Sequence, residues 1–175
     1  MGTRYLAFGA AVMLLALAAC ASPRGGAPST SAQPTGRAIT GLLFAYGVGA
    51  RNVLDTTRGT FTKDMIMASP ITIPMELSAS DMARISEKMD EIDFFSYPAV
   101  FTVPGAAGGG QVTPFATYRF TAHTGAGTKV VTWADKVPSD DERARGLRSL
   151  ARLIERIIVA KPEYRDLPEP EGGYL

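Results

Sequence analysis

The chemically reactive side chains of this chain are few and lie far apart in the sequence. It has one cysteine, Cys20, and one histidine, His123, so neither an intramolecular disulfide nor a multi-histidine metal cluster can form. The Gly-x-Ser-x-Gly signature of a serine nucleophile is absent. The imidazole of His123 is the right chemistry for a general base, but the glycines and threonines around it predict an exposed hairpin turn. We therefore expect no catalytic residue and no enzymatic activity.

Two short acidic runs, at 90–93 and 140–142, are the other groups that could bind an ion. A calcium site needs about six to eight oxygen ligands around a loop. The first run falls mostly on the wet face of a predicted helix, and the second falls in the first turn of another, where carboxylates complement the helix dipole. The glycine-rich segment 105–110 lacks the Gly-Lys-Ser/Thr of a phosphate loop and is expected to be a flexible loop. We expect no metal and no cofactor.

The composition is that of one small globular domain with appendages. The chain has 175 residues, of which 46% are hydrophobic, and it carries 18 basic and 17 acidic side chains for a net charge of +1. A nucleic-acid-binding domain usually carries a marked basic excess. The near-neutral balance therefore argues against a nucleic-acid partner.

The N-terminal segment has the pattern of an export signal. Arg4 is followed by an apolar stretch from Tyr5 to Ala19, which is shorter than the roughly 20 residues that span a bilayer. The stretch ends in Leu17-Ala18-Ala19-Cys20, which resembles the lipobox of bacterial lipoproteins. The resemblance implies that the Cys20 thiol receives a diacylglycerol group, that a signal peptidase cleaves between Ala19 and Cys20, and that the new amino group is acylated.

This resemblance predicts the organisation and location of the mature protein. Residues 1–19 are expected to be a cleaved lipoprotein signal peptide, and residues 20–38 to be the lipidated cysteine with a flexible Pro/Gly/Ser tether. Two or three acyl chains on Cys20 hold a protein stably on a membrane. The membrane is thus a predicted partner, on the exported side. Ala21, in place of an aspartate after the cysteine, resembles lipoproteins of the outer membrane facing the periplasm in a Gram-negative host.

The elements of the remaining chain predict an α+β domain over 39–161. Apolar or alternating segments predict strands, and Phe61, Met65 and Met67 are expected to share one face. Pro74 cannot donate to a ladder, so its strand is expected to lie at an edge or to turn that position outward. Two helices are predicted by apolar residues at helical spacing, each after a capping box, Ser78 with Asp81 and Ser139 with Glu142. Because strands and helices do not alternate, we expect an antiparallel sheet of about five to seven strands with two amphipathic helices packed on one face.

Two features of the C-terminal third leave alternatives open. The second helix carries a row of arginines, which is either a solvated face or a surface for an acidic partner or lipid phosphates; these are Arg143, Arg145, Arg148, Arg152 and Arg156. The Pro/Gly-rich tail 162–175 either wraps across the domain, docks a partner through its aromatic end, or is a disordered end.

A second, local resemblance covers roughly residues 76–160. The first helix with Asp93-Phe94-Phe95-Ser96-Tyr97-Pro98, the segment Tyr118-Arg119-Phe120-Thr121 and the arginine-rich helix resemble small bacterial α+β domains such as emfourin, an inhibitor of thermolysin-like metalloproteases. The lipobox, the stretch 46–67 and the tail depart from that family, so no inhibitory residue is carried over. The mature chain as a whole is more similar to exported lipoproteins without an assigned activity that carry Asn52-Val53-Leu54-Asp55-Thr56 and a terminal Gly172-Gly173-Tyr174-Leu175.

These observations predict a membrane-anchored bacterial lipoprotein whose exported domain is a binding or interaction module of the cell envelope. The expected partner is an envelope protein or ligand of unknown identity. The alternatives are a proteinaceous protease inhibitor and a structural subunit of an envelope complex. An exposed apolar patch would favour the structural subunit, whereas a pocket with convergent titratable groups would favour an enzyme.

Overall fold

The computed structural model describes residues 37–104 and 110–174. They contain seven strands, three helices and a 3-10 turn at Phe94–Ser96. The strands are β1 Ile39–Tyr46, β2 Asn52–Asp55, β3 Thr60–Lys63, β4 Ile71–Pro74, β5 Val100–Phe101, β6 Thr117–Thr124 and β7 Gly127–Ala134. The helices are α1 Ala79–Glu91, α2 Glu142–Ala160 and α3 Pro162–Arg165.

The seven strands form one mixed sheet in the order β4-β3-β2-β1-β6-β7-β5. The predicted α+β class is confirmed, but the expectation of a purely antiparallel sheet is wrong because β5 pairs with β7 in parallel. The reason is the crossover between β4 and β5. These strands form opposite edges of the sheet and α1 lies between them in sequence, so no hairpin fixes the direction of β5. The predicted edge strand with Pro74 is confirmed as β4.

The core forms between one face of the sheet and the two long helices. A continuous cross-strand row runs from β3 to β7, namely Phe61, Leu54, Phe44, Phe120 and Val131, and all five side chains have no exposed surface. They share one apolar cluster with Ile85 and Met89 of α1 and with Leu147, Leu150, Ile154 and Ile158 of α2. Each such side chain stabilises the fold by about 1.5–3 kcal/mol relative to exposure.

The helix starts confirm one sequence prediction and correct the other. At α1, the Ser78 side chain accepts from the Asp81 amide while the Asp81 carboxylate accepts from the Ser78 amide, which is the predicted capping box. At α2, the predicted box of Ser139 with Glu142 is wrong. Asp141 is the N-cap and accepts from the Ala144 amide at 2.9 Å. Ser139 instead accepts from the Asp141 amide, so its hydroxyl shapes the turn before the helix.

Two other local expectations differ from the structure. His123 lies in β6, because the hairpin turn consists of Gly125 and Ala126. The predicted apolar face of Phe61, Met65 and Met67 ends early, since β3 stops at Lys63 and the Met67 side chain is 76% exposed.

The C-terminal segment lies against the domain, as one of the alternatives for the tail predicted. Tyr164 and Leu167 pack on the core, and Glu171 forms an isolated parallel bridge with Ile66. Among the residues that the structure describes, no helix combines the length and apolar character needed to cross a membrane.

Candidate functional site

The predicted site residues are distributed as follows. Ala19 and Cys20 lie outside the described residues, so cleavage and lipidation stay predictions. The same holds for the flexible loop predicted at 105–110, of which only Gly110 is described. His123 is half-buried in β6, and its Nδ1 lies 3.0 Å from the Thr128 hydroxyl on the neighbouring strand. This contact joins the two strands of the hairpin.

A groove of about 650 Å³ lies between the end of α1, the turn after it and the first half of α2. We call it the interhelical groove. Its charged lining residues come in both signs and are Lys88, Glu91, Asp93, Glu142, Arg143 and Arg145. The remaining lining residues are Ile92, Ser96, Tyr97, Gly146 and Ser149. The groove therefore offers hydrogen-bonding and ionic groups beside the apolar surface of Ile92 and the Tyr97 ring.

The turn that forms the floor is fixed by its sequence. Asp93 has a left-handed backbone with φ of 51°, which ends α1 and which aspartate tolerates better than most residues. Phe94 then enters the core edge-to-face with Phe120, at a ring separation of 5.8 Å. Tyr97 packs edge-to-face on Phe101 at 5.4 Å. Two buried aromatic anchors thus hold the segment that separates them.

Arg143 is held over this turn and presents its guanidinium to the groove. The guanidinium carbon lies 4.2 Å from the centre of the Tyr97 ring, and Nη2 lies 3.4 Å from the Ser96 hydroxyl. The Tyr97 hydroxyl in turn donates to the Arg143 carbonyl at 2.9 Å. Burial raises the pKa of Tyr97, although the contact with Arg143 acts in the opposite direction. An exposed arginine is thus oriented in advance by an aromatic ring.

Gly146 brings α2 close to the turn. A Cβ atom at this position would lie 2.9 Å from the Tyr97 hydroxyl oxygen and 3.3 Å from the Ile92 Cβ atom, and real Cβ atoms avoid the first distance. The absence of a side chain therefore lets Tyr97 reach the Arg143 carbonyl. Neither Gly146 nor the stacking of Arg143 was singled out from the sequence. A glycine inside an amphipathic helix is the signal that could have indicated close packing there.

The charges in the interhelical groove are only partly compensated. Lys88 pairs with Glu91 at 2.5 Å. Within the described part of the chain, Arg143 and Arg145 have no carboxylate within 4.0 Å. Over residues 37–104 and 110–174, no three His, Cys, Asp or Glu side chains converge in a geometry that could hold a metal ion. Two guanidinium groups of the groove are therefore without a carboxylate partner among the described residues.

The arginine row of α2 is not one solvated face. Arg148 is half-buried and makes a two-pronged ion pair with Asp135, with N···O distances of 2.8 and 2.7 Å. It also donates to the Ser139 carbonyl and lies 5.3 Å from the Trp133 ring centre. Hydrogen bonding to Asp135 raises the pKa of Arg148. This arginine fastens α2 to the sheet, whereas Arg143 and Arg145 lie in the groove.

The Asn52–Thr56 motif serves a turn. The Asp55 carboxylate accepts from the Thr57 hydroxyl at 2.6 Å and from the amides of Thr57 and Arg58 at 3.0 and 3.1 Å. Burial opposes ionisation of Asp55, but these hydrogen bonds outweigh it and hold its pKa below the ordinary value. The motif therefore closes the connection between β2 and β3.

Comparison of the chain with protein-family models and with curated proteins finds no match. The resemblances to lipoproteins and to emfourin-like domains accordingly stay predictions from the residues that carry them.

Proposed function

We propose that this chain is a membrane-anchored bacterial lipoprotein whose exported domain binds, in the interhelical groove, a segment of another envelope protein that carries one or two carboxylates. The observation that carries the proposal is Arg143, an exposed guanidinium oriented on the Tyr97 ring with no carboxylate within 4.0 Å among the described residues. An arginine in this state is prepared to bind a carboxylate through two parallel hydrogen bonds.

The groove's mixed charge supports a protein segment as the ligand. A carboxylate bound by Arg143 and Arg145 leaves Asp93 and Glu142 on the same rim, and these would repel a ligand that is acidic throughout. A chain segment that carries one or two carboxylates beside basic or neutral groups fits both halves. Electrostatic complementarity of this kind mainly sets specificity and the association rate.

The anchoring half of the proposal rests on Leu17-Ala18-Ala19-Cys20 and on the tether that follows. If residues 20–38 form the predicted flexible tether, the domain would reorient within roughly 20–25 Å of its lipid anchor. A binding module held in this way searches the space next to the membrane for its partner.

Affinity capture from the host envelope tests the groove. The bait is the full chain, and the comparison is between wild type, Arg143→Gln and the matched control Arg156→Gln, which alters another exposed arginine of the same helix. A hydrogen bond to a charged group contributes about 1.5–3 kcal/mol, so Arg143→Gln should reduce the captured partner by about tenfold or more while Arg156→Gln retains it. Equal recovery with both variants would show that the groove is not the binding site.

The identity of the captured partner separates the alternatives. Capture of a secreted metalloprotease that the chain inhibits would favour the protease-inhibitor alternative. Capture of a stable multi-subunit assembly would favour the structural-subunit alternative. The large apolar side chains exposed in the described residues belong to four separate segments, as Met67, Val100, Val112 and Val159. This scattering gives the structural subunit less support than the groove gives a binding module.

A further inference from the structure

A second surface of the domain, at the end of β3 and just after it, contacts residues 168–174 of the same chain. From here on, the tail means residues 167–174, the part of the segment 162–175 that follows α3. We propose that the surface under the tail is a recognition site for an acidic segment that contains Gly-x-Tyr, that the tail occupies it in cis, and that a segment of the same chemistry from another chain binds when the tail leaves. This inference rests on contacts outside the interhelical groove.

The first recognition element is a buried lysine at the end of β3. The Lys63 side chain is only 4% exposed. Its ammonium donates to the Pro168 carbonyl at 2.8 Å and lies 3.8 Å from a Glu169 carboxylate oxygen. It also lies 4.8 Å from the centre of the Tyr164 ring. Pro168 and Glu169 belong to the tail, whereas Tyr164 lies in α3, so the tail supplies the hydrogen-bond acceptor and the carboxylate of a lysine that is buried while the tail is in place.

The second element contacts a tyrosine at its hydroxyl and at its ring. The Tyr174 hydroxyl donates to the Asp64 carboxylate, and the Arg51 guanidinium carbon lies 5.9 Å from the Tyr174 ring centre. Asp64 is itself fixed, because its backbone amide donates to the Asn52 side chain at 3.0 Å and its other carboxylate oxygen accepts from the Ile66 amide at 3.2 Å. The carboxylate is therefore in place for a phenol before the tail arrives.

The third element lies between these two and restricts what fits. Ile66 pairs with Glu171 in a parallel bridge, which is the backbone pairing that strand-addition sites use. Ile66 has a φ of 61°, an uncommon conformation for a branched residue that the surroundings must hold in place. Gly172 has a φ of 88°, and a Cβ atom there would lie 2.7 Å from Met67 Cγ. The site thus favours a carboxylate near Lys63, a glycine three positions later and a tyrosine two positions after that.

The tail competes with any added peptide for this surface. It follows α3 directly, so its effective concentration at the site is high and a free peptide meets an occupied surface. Weakening the tail's own contacts should therefore raise the affinity for the same peptide added in trans. The hydroxyl of Tyr174 is the contact to remove, because it lies at the far end of the tail from the helix.

The test uses the full chain and a labelled synthetic peptide with the sequence of residues 167–175. Its affinity for the wild type is compared with that for Tyr174→Ala. We expect binding to be about 10- to 100-fold tighter to the variant, from the loss of one charge-assisted hydrogen bond in cis. A peptide with alanine in place of its tyrosine, and the double variant Tyr174→Ala with Lys63→Met, should both abolish the gain.

Acylation of lysines by an N-hydroxysuccinimide ester, read by mass spectrometry, reports tail opening independently. Lys63 should react at least tenfold faster in Tyr174→Ala, while the exposed Lys136 reacts as in wild type. Faster acylation of Lys63 without peptide binding would overturn the recognition site, and unchanged acylation would overturn the role of Tyr174. Faster acylation of every lysine in Tyr174→Ala would show that this variant unfolds. In that case Tyr174→Phe, which removes only the hydroxyl, replaces it, and the same peptide affinity and Lys63 acylation rate are measured.

Discussion

Replacing Gly146 with alanine sets two effects of similar size against each other. Glycine inside a helix is less favourable than alanine by about 0.8–1.0 kcal/mol, so propensity alone predicts a more stable protein. The new Cβ atom would, however, lie 2.9 Å from the Tyr97 hydroxyl oxygen. Tyr97 is only 2% exposed and its ring lies under the Arg143 guanidinium, so the ring has little room to move away from the new methyl group.

The packing term should win. Inserting a methyl group into a well-packed site costs about 1–3 kcal/mol, and displacing Tyr97 also weakens its hydrogen bond to the Arg143 carbonyl, a contact of about 0.5–1.5 kcal/mol. We expect Gly146→Ala to lower the free energy of unfolding by about 1–2 kcal/mol. In a Tyr97→Phe background the hydroxyl is absent, the next contact is Ile92 at 3.3 Å, and the same substitution should be neutral or slightly stabilising.

Urea denaturation of the four proteins in this cycle, prepared as residues 21–175, measures the coupling. A coupling energy of at least about 1 kcal/mol is expected, since the two side chains would compete for the same space. If Gly146→Ala stabilises the protein by the same amount with and without the Tyr97 hydroxyl, the close approach of α2 to the turn is not as described. The same variants also report on partner capture, because Tyr97 positions Arg143.

Three further predictions concern processing, the core and pH. Cys20→Ser should leave an uncleaved precursor without acyl chains, and mass spectrometry of the membrane fraction should find wild type beginning at acylated Cys20; a soluble mature chain with a free thiol would contradict this. Ile154→Asp should unfold the domain, because it places a carboxylate at a position with no exposed surface at a cost of several kcal/mol, whereas His123→Ala should shift stability by less than about 1 kcal/mol; thermal melting compares them. Burial raises the pKa of Tyr118 to about 12, against about 10 in an unfolded chain, so its contribution to stability is complete below pH 10 and is lost as the pH rises towards 12; the urea midpoint should fall over that range, and less steeply in Tyr118→Phe.

The sequence predicted what depends on neighbours along the chain. The capping box of Ser78 and Asp81 and the apolar stripe of α2 involve residues within a turn or two of one another, so their spacing is sufficient to identify them. The edge position of β4 followed from Pro74, which lacks an amide for the ladder. These features set the class of the fold and the faces that its helices bury.

The rest depends on contacts between distant segments. The parallel direction of β5 is set by the passage of α1 across the sheet, and two residues of strand carry no pattern that reveals it. The row of arginines was uniform in sequence, yet Arg148 reaches Asp135 and Arg143 reaches Tyr97, 46 positions away. The charges of the interhelical groove converge only after α1 and α2 have packed.

The two edge strands of the sheet affect how strongly the protein self-associates at high local concentration. Molecules confined to a surface collide often, and an open strand margin invites a second molecule to add its own strand. Here one margin is β4, whose Pro74 has no amide to donate, and the other is β5, which is two residues long. Neither edge strand therefore exposes enough free backbone groups to pair with a long strand of a second molecule. An anchored domain of this design should therefore stay dispersed at surface densities that would drive proteins with longer margins to aggregate.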